Sequence, residues 1–169
     1  MADVRTPFEF PAIVNEKAAR AVAGLVVLVA AVALLTGWLW LSAVLAVGFA
    51  LRVASGPRFD PFGQLATKVI APRLGEPVLV PGPPKRFAQA IGATLSTAAL
   101  VAYYPGAPTA AWVLVGLITV AAFLESVFAI CLGCIIFGRL QALVVIPASV
   151  CEACNDIRLR RPQPATGSG

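Results

Sequence analysis

The residues best suited to chemistry in this chain are four cysteines. Cys131-Leu-Gly-Cys134 and Cys151-Glu-Ala-Cys154 form two C-x-x-C pairs with 16 residues between them, a spacing that fits a four-cysteine zinc site and also a pair of cycling dithiols. The chain contains no histidine, which removes Ser-His-Asp triads, His-ligated haem and copper, and the commoner catalytic zinc sites. Soft-ligand and redox chemistry therefore falls to sulfur.

Three readings of the cysteines stay open. One or both pairs cycle between dithiol and disulfide, or carry a persulfide, with Arg139 and Arg158 to Arg161 lowering the thiol pKa. Alternatively, Cys131, Cys134, Cys151 and Cys154 bind one structural zinc, which requires the segment between the pairs to fold back, with Gly138 and Pro147 as bends. In the third reading the cysteines are small helix-packing residues. Cys131 and Cys134 are favoured for chemistry over Cys151 and Cys154. Gly133 between their sulfurs admits a partner's backbone, whereas Glu152 beside the second pair, if close enough, should raise the pKa of its thiols.

These residues must be held by an unusual scaffold. Of 169 residues, 59% are hydrophobic and 12% charged, where a soluble domain is about a quarter charged, and the mean hydropathy is +0.88. This predicts a membrane protein with one domain over residues 1–154 and a basic, then disordered, tail over 155–169. The N-terminal residues lack the pattern of a secretory signal.

Ala21 to Leu51 carries no charge, and as one helix it would be ~46 Å long against a ~30 Å hydrocarbon core. Thr36-Gly37-Trp38 reads as a turn at an interface. Four spans follow, at about 19–36, 38–54, 86–104 and 109–137. With both termini on one side, all 13 Lys and Arg fall on that face, and all Trp and Tyr cluster at the two uncharged turns. By the positive-inside rule the charged face is cytoplasmic. The charge is thus topological, and no nucleic-acid partner is expected.

The long loop contains Asp60 as a cap and Pro61 at a first helical position, with Phe62, Leu65, Val69 and Ile70 on one face. It reads as an amphipathic helix on the inner leaflet or one packed under the bundle. Residues 76–84 read as an extended proline-rich connector. Glu125 is the one acidic residue within the spans. On an unbroken helix it turns away from both Cys131 and Cys134, so it is expected to join the last helix to the third through Gln89, Thr94 or Arg86, with a catalytic role as the weaker alternative.

Gly56-Pro57-Arg58 with Pro61, Ala71-Pro72-Arg73-Leu74-Gly75, Arg86-Phe87-Ala88-Gln89 with Gly92, and above all Cys131-Leu132-Gly133-Cys134 resemble a family of small bacterial integral membrane proteins, domain of unknown function 4395. The resemblance runs from about Val14 to Arg139, so it does not reach Cys151 or Cys154. It implies a bacterial plasma-membrane location and traffic in sulfur or thiols alongside thioredoxin-like proteins and sulfurtransferases. In the family pattern an acidic residue and an aromatic follow the second cysteine, where this chain has Ile135 and Ile136.

The expectation is an all-α four-span transmembrane helix bundle with a cytoplasmic amphipathic helix in its central loop. It would lie in the lipid bilayer and act as a thiol-disulfide or sulfane-sulfur relay through Cys131 and Cys134, without a cofactor. A zinc-bound scaffold and a small-anion or sulfur-compound transporter are the alternatives. Sidedness argues against a quinone-coupled disulfide generator, which needs its thiols at the outer face.

Overall fold

The computed structural model describes residues 10–104 and 106–151, apart from the side chain of Ala148. The chain is mostly helical. Strand β1 (Ile13–Asn15) leads directly into α1 (Glu16–Thr36), where the Asn15 side chain accepts from the Lys17 N–H at 3.0 Å and satisfies one of the orphan donors of the first turn. Helix α1 stops at Gly37, whose φ of 74° is left-handed and costs a glycine nothing. A turn carrying Trp38 and Trp40 precedes α2 (Leu41–Ser55).

The central loop folds as a chain of short helical turns. Asp60 caps α3 (Pro61–Leu65), accepting from the Gly63 N–H at 2.6 Å with Pro61 in the first turn. A π turn (Ala66–Ile70) and α4 (Ala71–Arg73) continue it. The apolar face is split: Phe62 and Ile70 are half-buried and Leu65 and Val69 exposed, while the fully buried residues are the small Gly63, which abuts Pro57, and Ala66 and Ala71 in the turns that pack on α1. Small residues win here because helix backbones meet most closely where no side chain intervenes.

Part of the expected connector is a strand. Val80 of β2 (Leu79–Pro81) lies opposite Val14 in an antiparallel pair with β1, and this ribbon ties the start of α1 to the start of α5 (Gly82–Tyr103). Pro83 and Pro84 open α5, where a missing N–H removes no helical bond, so that helix begins about four residues before its expected start. Helix α6 spans Pro108–Phe128 and α7 Leu132–Ala142, with a short 3-10 turn (Ala148–Cys151) after it.

Helices α1, α2, α5 and α6 pack side by side, α1 on α6 and α2 on α5 being the most extensive pairs, and α7 lies on the charged end of α5. Their shared interior is made of small and medium apolar side chains, among them Val26, Ala30, Leu45, Ala99, Ala111 and Val115. Larger apolar residues such as Leu28, Val101 and Val113 are more than half exposed. Two helices, α1 and α6, are long and apolar enough to cross a membrane. At ~22 Å, α2 is shorter than a bilayer core, and α5 carries Lys85 and Arg86 in its first turns.

Candidate redox site at the start of helix 7

The expected last span, 109–137, is interrupted ahead of the first cysteine pair. Ala129 takes a left-handed φ of 59°, its N–H donates to the Glu125 carbonyl at 3.2 Å, and the Ile130 N–H reaches back to the Leu124 carbonyl at 3.1 Å. This is a left-handed helix stop of the αL type, made without glycine. The Arg20 guanidinium reinforces it by donating to the Ser126 carbonyl at 3.0 and 3.1 Å and to that of Val127 at 3.1 Å, where the negative end of the α6 dipole favours a cation. Arg86 does the same for α2, its Nε donating to the Val53 carbonyl at 2.9 Å. The arginines that mark topology in the sequence thus also terminate helices.

The stop changes the position of the cysteines on their helix. Cys131 becomes the N-cap residue of α7, in extended conformation, and its Sγ accepts from the Cys134 N–H at 3.3 Å. Cys131 and Cys134 are joined by a disulfide, with their Cα atoms 5.2 Å apart, a separation natural to such a bond. Cys131 is buried and Cys134 half-buried. Both sit at a helix N-terminus, where N–H groups and the positive dipole end favour a negatively charged sulfur.

Gly133 is fixed by packing. A Cβ there would lie 2.6 Å from the Ala88 Cα of α5, so the close approach expected of a partner's backbone is taken by the protein's own helix. Phe137 is buried on the same side, its ring centroid 5.7 Å from that of Phe87.

Glu125 is paired with Lys85, Nζ to Oε1 at 2.7 Å, and both side chains are largely buried. It does join α6 to the third long helix, but through Lys85 in place of Gln89, Thr94 or Arg86. The rotation that separated it from the cysteines assumed an unbroken helix. Because α6 stops at Phe128 and the chain turns, Glu125 and Cys131 border one cavity of about 260 Å³, together with Gln89. The sequence carried no signal for Lys85, since a lysine following three prolines reads as a loop charge.

A second buried ion pair joins α2 to the cap of α3. Arg52 Nη1 reaches Asp60 Oδ2 at 2.6 Å, and its Nε donates to Gln89 Oε1 at 2.8 Å. The Arg52 guanidinium also stacks over Phe49 at 4.7 Å. Gln89 thus links the two pairs by position, lining the cavity beside Glu125 while bound to Arg52.

Two openings meet at the disulfide. The 260 Å³ cavity runs between α1, α5 and α6 and is walled mostly by apolar side chains. A broader cleft of about 610 Å³, edged by Glu16, Lys85 and Gln141, lies between β2 and α7. Cys131 borders both, whereas Cys134 borders only the cleft.

Cys151 is buried in the turn that follows α7 and packs toward α5. Cys154, Glu152, the basic cluster Arg158 to Arg161 and the 155–169 tail lie outside the described residues, so the four-sulfur arrangement of the zinc reading is not on view. Among the described residues no group of three His, Cys, Asp or Glu side chains is placed to hold a metal.

No curated protein and no solved structure matches the chain. Residues 14–142, which include all but the first residue of the ribbon, helices α1 to α7 and the Cys131–Cys134 site, match the family described as Domain of unknown function (DUF4395), and the chain belongs to that family.

Proposed function

We propose that the protein is a membrane-embedded relay for thiol-disulfide exchange or sulfane sulfur, working through Cys131 and Cys134 at the cytoplasmic face of a bacterial plasma membrane. The observation that carries this reading is a disulfide set at a helix N-terminus and open to a surface cleft. That location favours the thiolate needed for exchange and leaves the bond within reach of a partner.

The two sulfurs have different parts. Cys134 is the more exposed and borders the cleft, so an incoming thiolate attacks it. Cys131 leaves as a thiolate held by the Cys134 N–H; in the opposite direction, when the reduced Cys134 attacks an oxidised partner, Cys131 resolves the mixed disulfide. Both electron pairs stay on sulfur throughout: the new S–S bond forms on Cys134 as the old one breaks, and a second partner thiol completes the reduction. In the sulfane-sulfur form, the reduced Cys134 thiolate attacks the outer sulfur of a donor persulfide, the donor leaving as a thiolate; Cys131 then attacks the Cys134 sulfur, re-forming the disulfide as the outer sulfur leaves as hydrosulfide. The partner is a thioredoxin-like protein or a sulfurtransferase.

The membrane placement is supported by several features together. Small residues fill the bundle interior while larger apolar ones face outward, the arrangement suited to lipid. Helices α1, α2, α5 and α6 form the four spans, with the shorter α2 completed by the Trp38 and Trp40 turn at the headgroup layer. Charged residues that cap helices or pair, including Arg20, Arg52, Lys85 and Arg86, gather at the end that holds the disulfide. Phe59, Leu65, Val69 and Leu74 are exposed beside Arg58, Lys68 and Arg73, a surface suited to the inner leaflet.

Thiol counting before and after a thioredoxin-like reductant tests the relay. Two more thiols per chain should appear in wild type than in a Cys131→Ser/Cys134→Ser variant. A disulfide that stays unreduced in the folded protein would contradict the proposal.

A further inference from the structure

The relay needs somewhere to send or draw electrons, and the walls of the inner cavity suit a particular class of carrier. It is lined by the buried Cys131 but not by Cys134, and its lining is apolar along α5 and α6 up to Leu95 and Leu117. Leu117 and Ile136, which border it, are each about half exposed on the outer apolar surface, so the cavity opens sideways to that surface. At about 260 Å³ it falls just under the ~300 Å³ where pockets for drug-sized molecules begin. It accommodates a ring head group and not a whole lipid.

The polar groups are confined to the sulfur end. Glu125, held by Lys85, lines that end with Gln89. Gln89 Oε1 accepts from Arg52, so its amide NH2 keeps donor hydrogens for a carbonyl oxygen. A flat ring with carbonyls, carried on an apolar chain and able to take two electrons, satisfies the opening, the polar end and the neighbouring dithiol together.

We propose that this cavity binds the ring of a membrane quinone and that the Cys131–Cys134 dithiol reduces it, an assignment that rests on the relay reading. In the step, both S–H bonds break and the Cys131–Cys134 S–S bond forms. The two electrons and two protons released convert the quinone's two carbonyls to hydroxyls, giving the hydroquinone. Electrons enter through Cys134 from a partner dithiol in the cleft and leave from Cys131 into the cavity. The need for thiols at the outer face applies to proteins that donate disulfides to exported substrates. Here cytoplasmic thiols are the electron source, and a quinone ring reaches the cavity from within the bilayer.

The test uses the full chain in detergent, reduced, freed of reductant and kept under nitrogen, with decylubiquinone as the probe because its fully substituted ring resists alkylation by thiols. The expected result is one quinone reduced per chain, with loss of two thiols. Ala121→Phe, which fills the cavity, and Leu117→Trp, which covers its rim, should each slow this about tenfold while leaving the free-thiol count of the reduced protein unchanged. Two variants on different parts of the cavity guard against a single misfolded one. Equal rates in wild type and both variants would overturn the assignment. It would also be overturned if wild type left the quinone untouched while exchanging disulfides with an oxidised thioredoxin-like protein. If the pair exchanged with neither, the relay reading itself would fail and this assignment with it.

Discussion

At the scale of single residues, the site depends on what is missing at Gly133. A methyl group there would stand 2.5 Å from Ala88 Cβ and 2.6 Å from its Cα, and a backbone atom cannot swing aside as a long side chain can. Gly133→Ala should therefore push α7 off α5 and cost about 1–3 kcal/mol, the usual cost of overpacking. A lower thermal midpoint in detergent, together with a less readily re-formed Cys131–Cys134 bond, is the expected readout. An unchanged midpoint would mean that α7 is not seated on α5 as described. The importance of Gly133 was visible in the sequence, since a glycine between two reactive sulfurs invites a close neighbour. The identity of that neighbour was not visible, because it depends on how α7 docks.

At the scale of elements, the least legible feature was the end of α6. Nothing in Phe128-Ala129-Ile130 advertises a stop: the run is apolar, lacks glycine and proline, and has no charge to mark an interface. The break is made by Arg20, more than a hundred positions away, and by an alanine in a left-handed conformation. Left-handed backbone costs an L-residue about 1–2 kcal/mol, part of which a glycine would recover. Ala129→Gly is thus predicted to raise stability by up to about 1 kcal/mol, measured by thermal unfolding, whereas a site that continued α6 as a helix would be destabilised by the same change.

The starts of α1 and α3 were easier to read, because Asn15 and Asp60 cap through short local contacts that sequence spacing encodes. Asp60 also shows what spacing hides. It is buried against Arg52, and removing one partner of such a pair leaves an uncompensated charge at a cost of about 3–5 kcal/mol. Arg52→Met should reach that range. The double change Arg52→Met with Asp60→Asn should recover most of it, since asparagine caps as well as aspartate. Failure of the double variant to recover would show that Arg52 matters chiefly through Gln89 and Phe49.

At the scale of the whole molecule, the apolar composition made a mostly helical chain and the two long apolar helices α1 and α6 legible in the sequence, whereas the packing of α1 on α6 and α2 on α5 was not, because it depends on which faces meet. The β1–β2 ribbon was not legible, because three-residue strands carry too little pattern and one of them contains a proline. The four-span reading predicts sidedness. In a variant with its native cysteines replaced by serine, a cysteine introduced at Gly37 or Gly106, both at exposed turns with left-handed φ, should label from outside intact cells. A cysteine at Arg73 should not, and external labelling there would reverse or dissolve the topology. The central claim, that Cys134 receives a partner's thiol and Cys131 resolves it, is tested most directly by trapping mixed disulfides in cells. Cys131→Ser should accumulate a mixed disulfide on Cys134 with a thioredoxin-like protein or sulfurtransferase, and Cys134→Ser should accumulate far less. Equal absence of trapping in both variants, with wild-type amounts of folded protein in the membrane, would contradict the account.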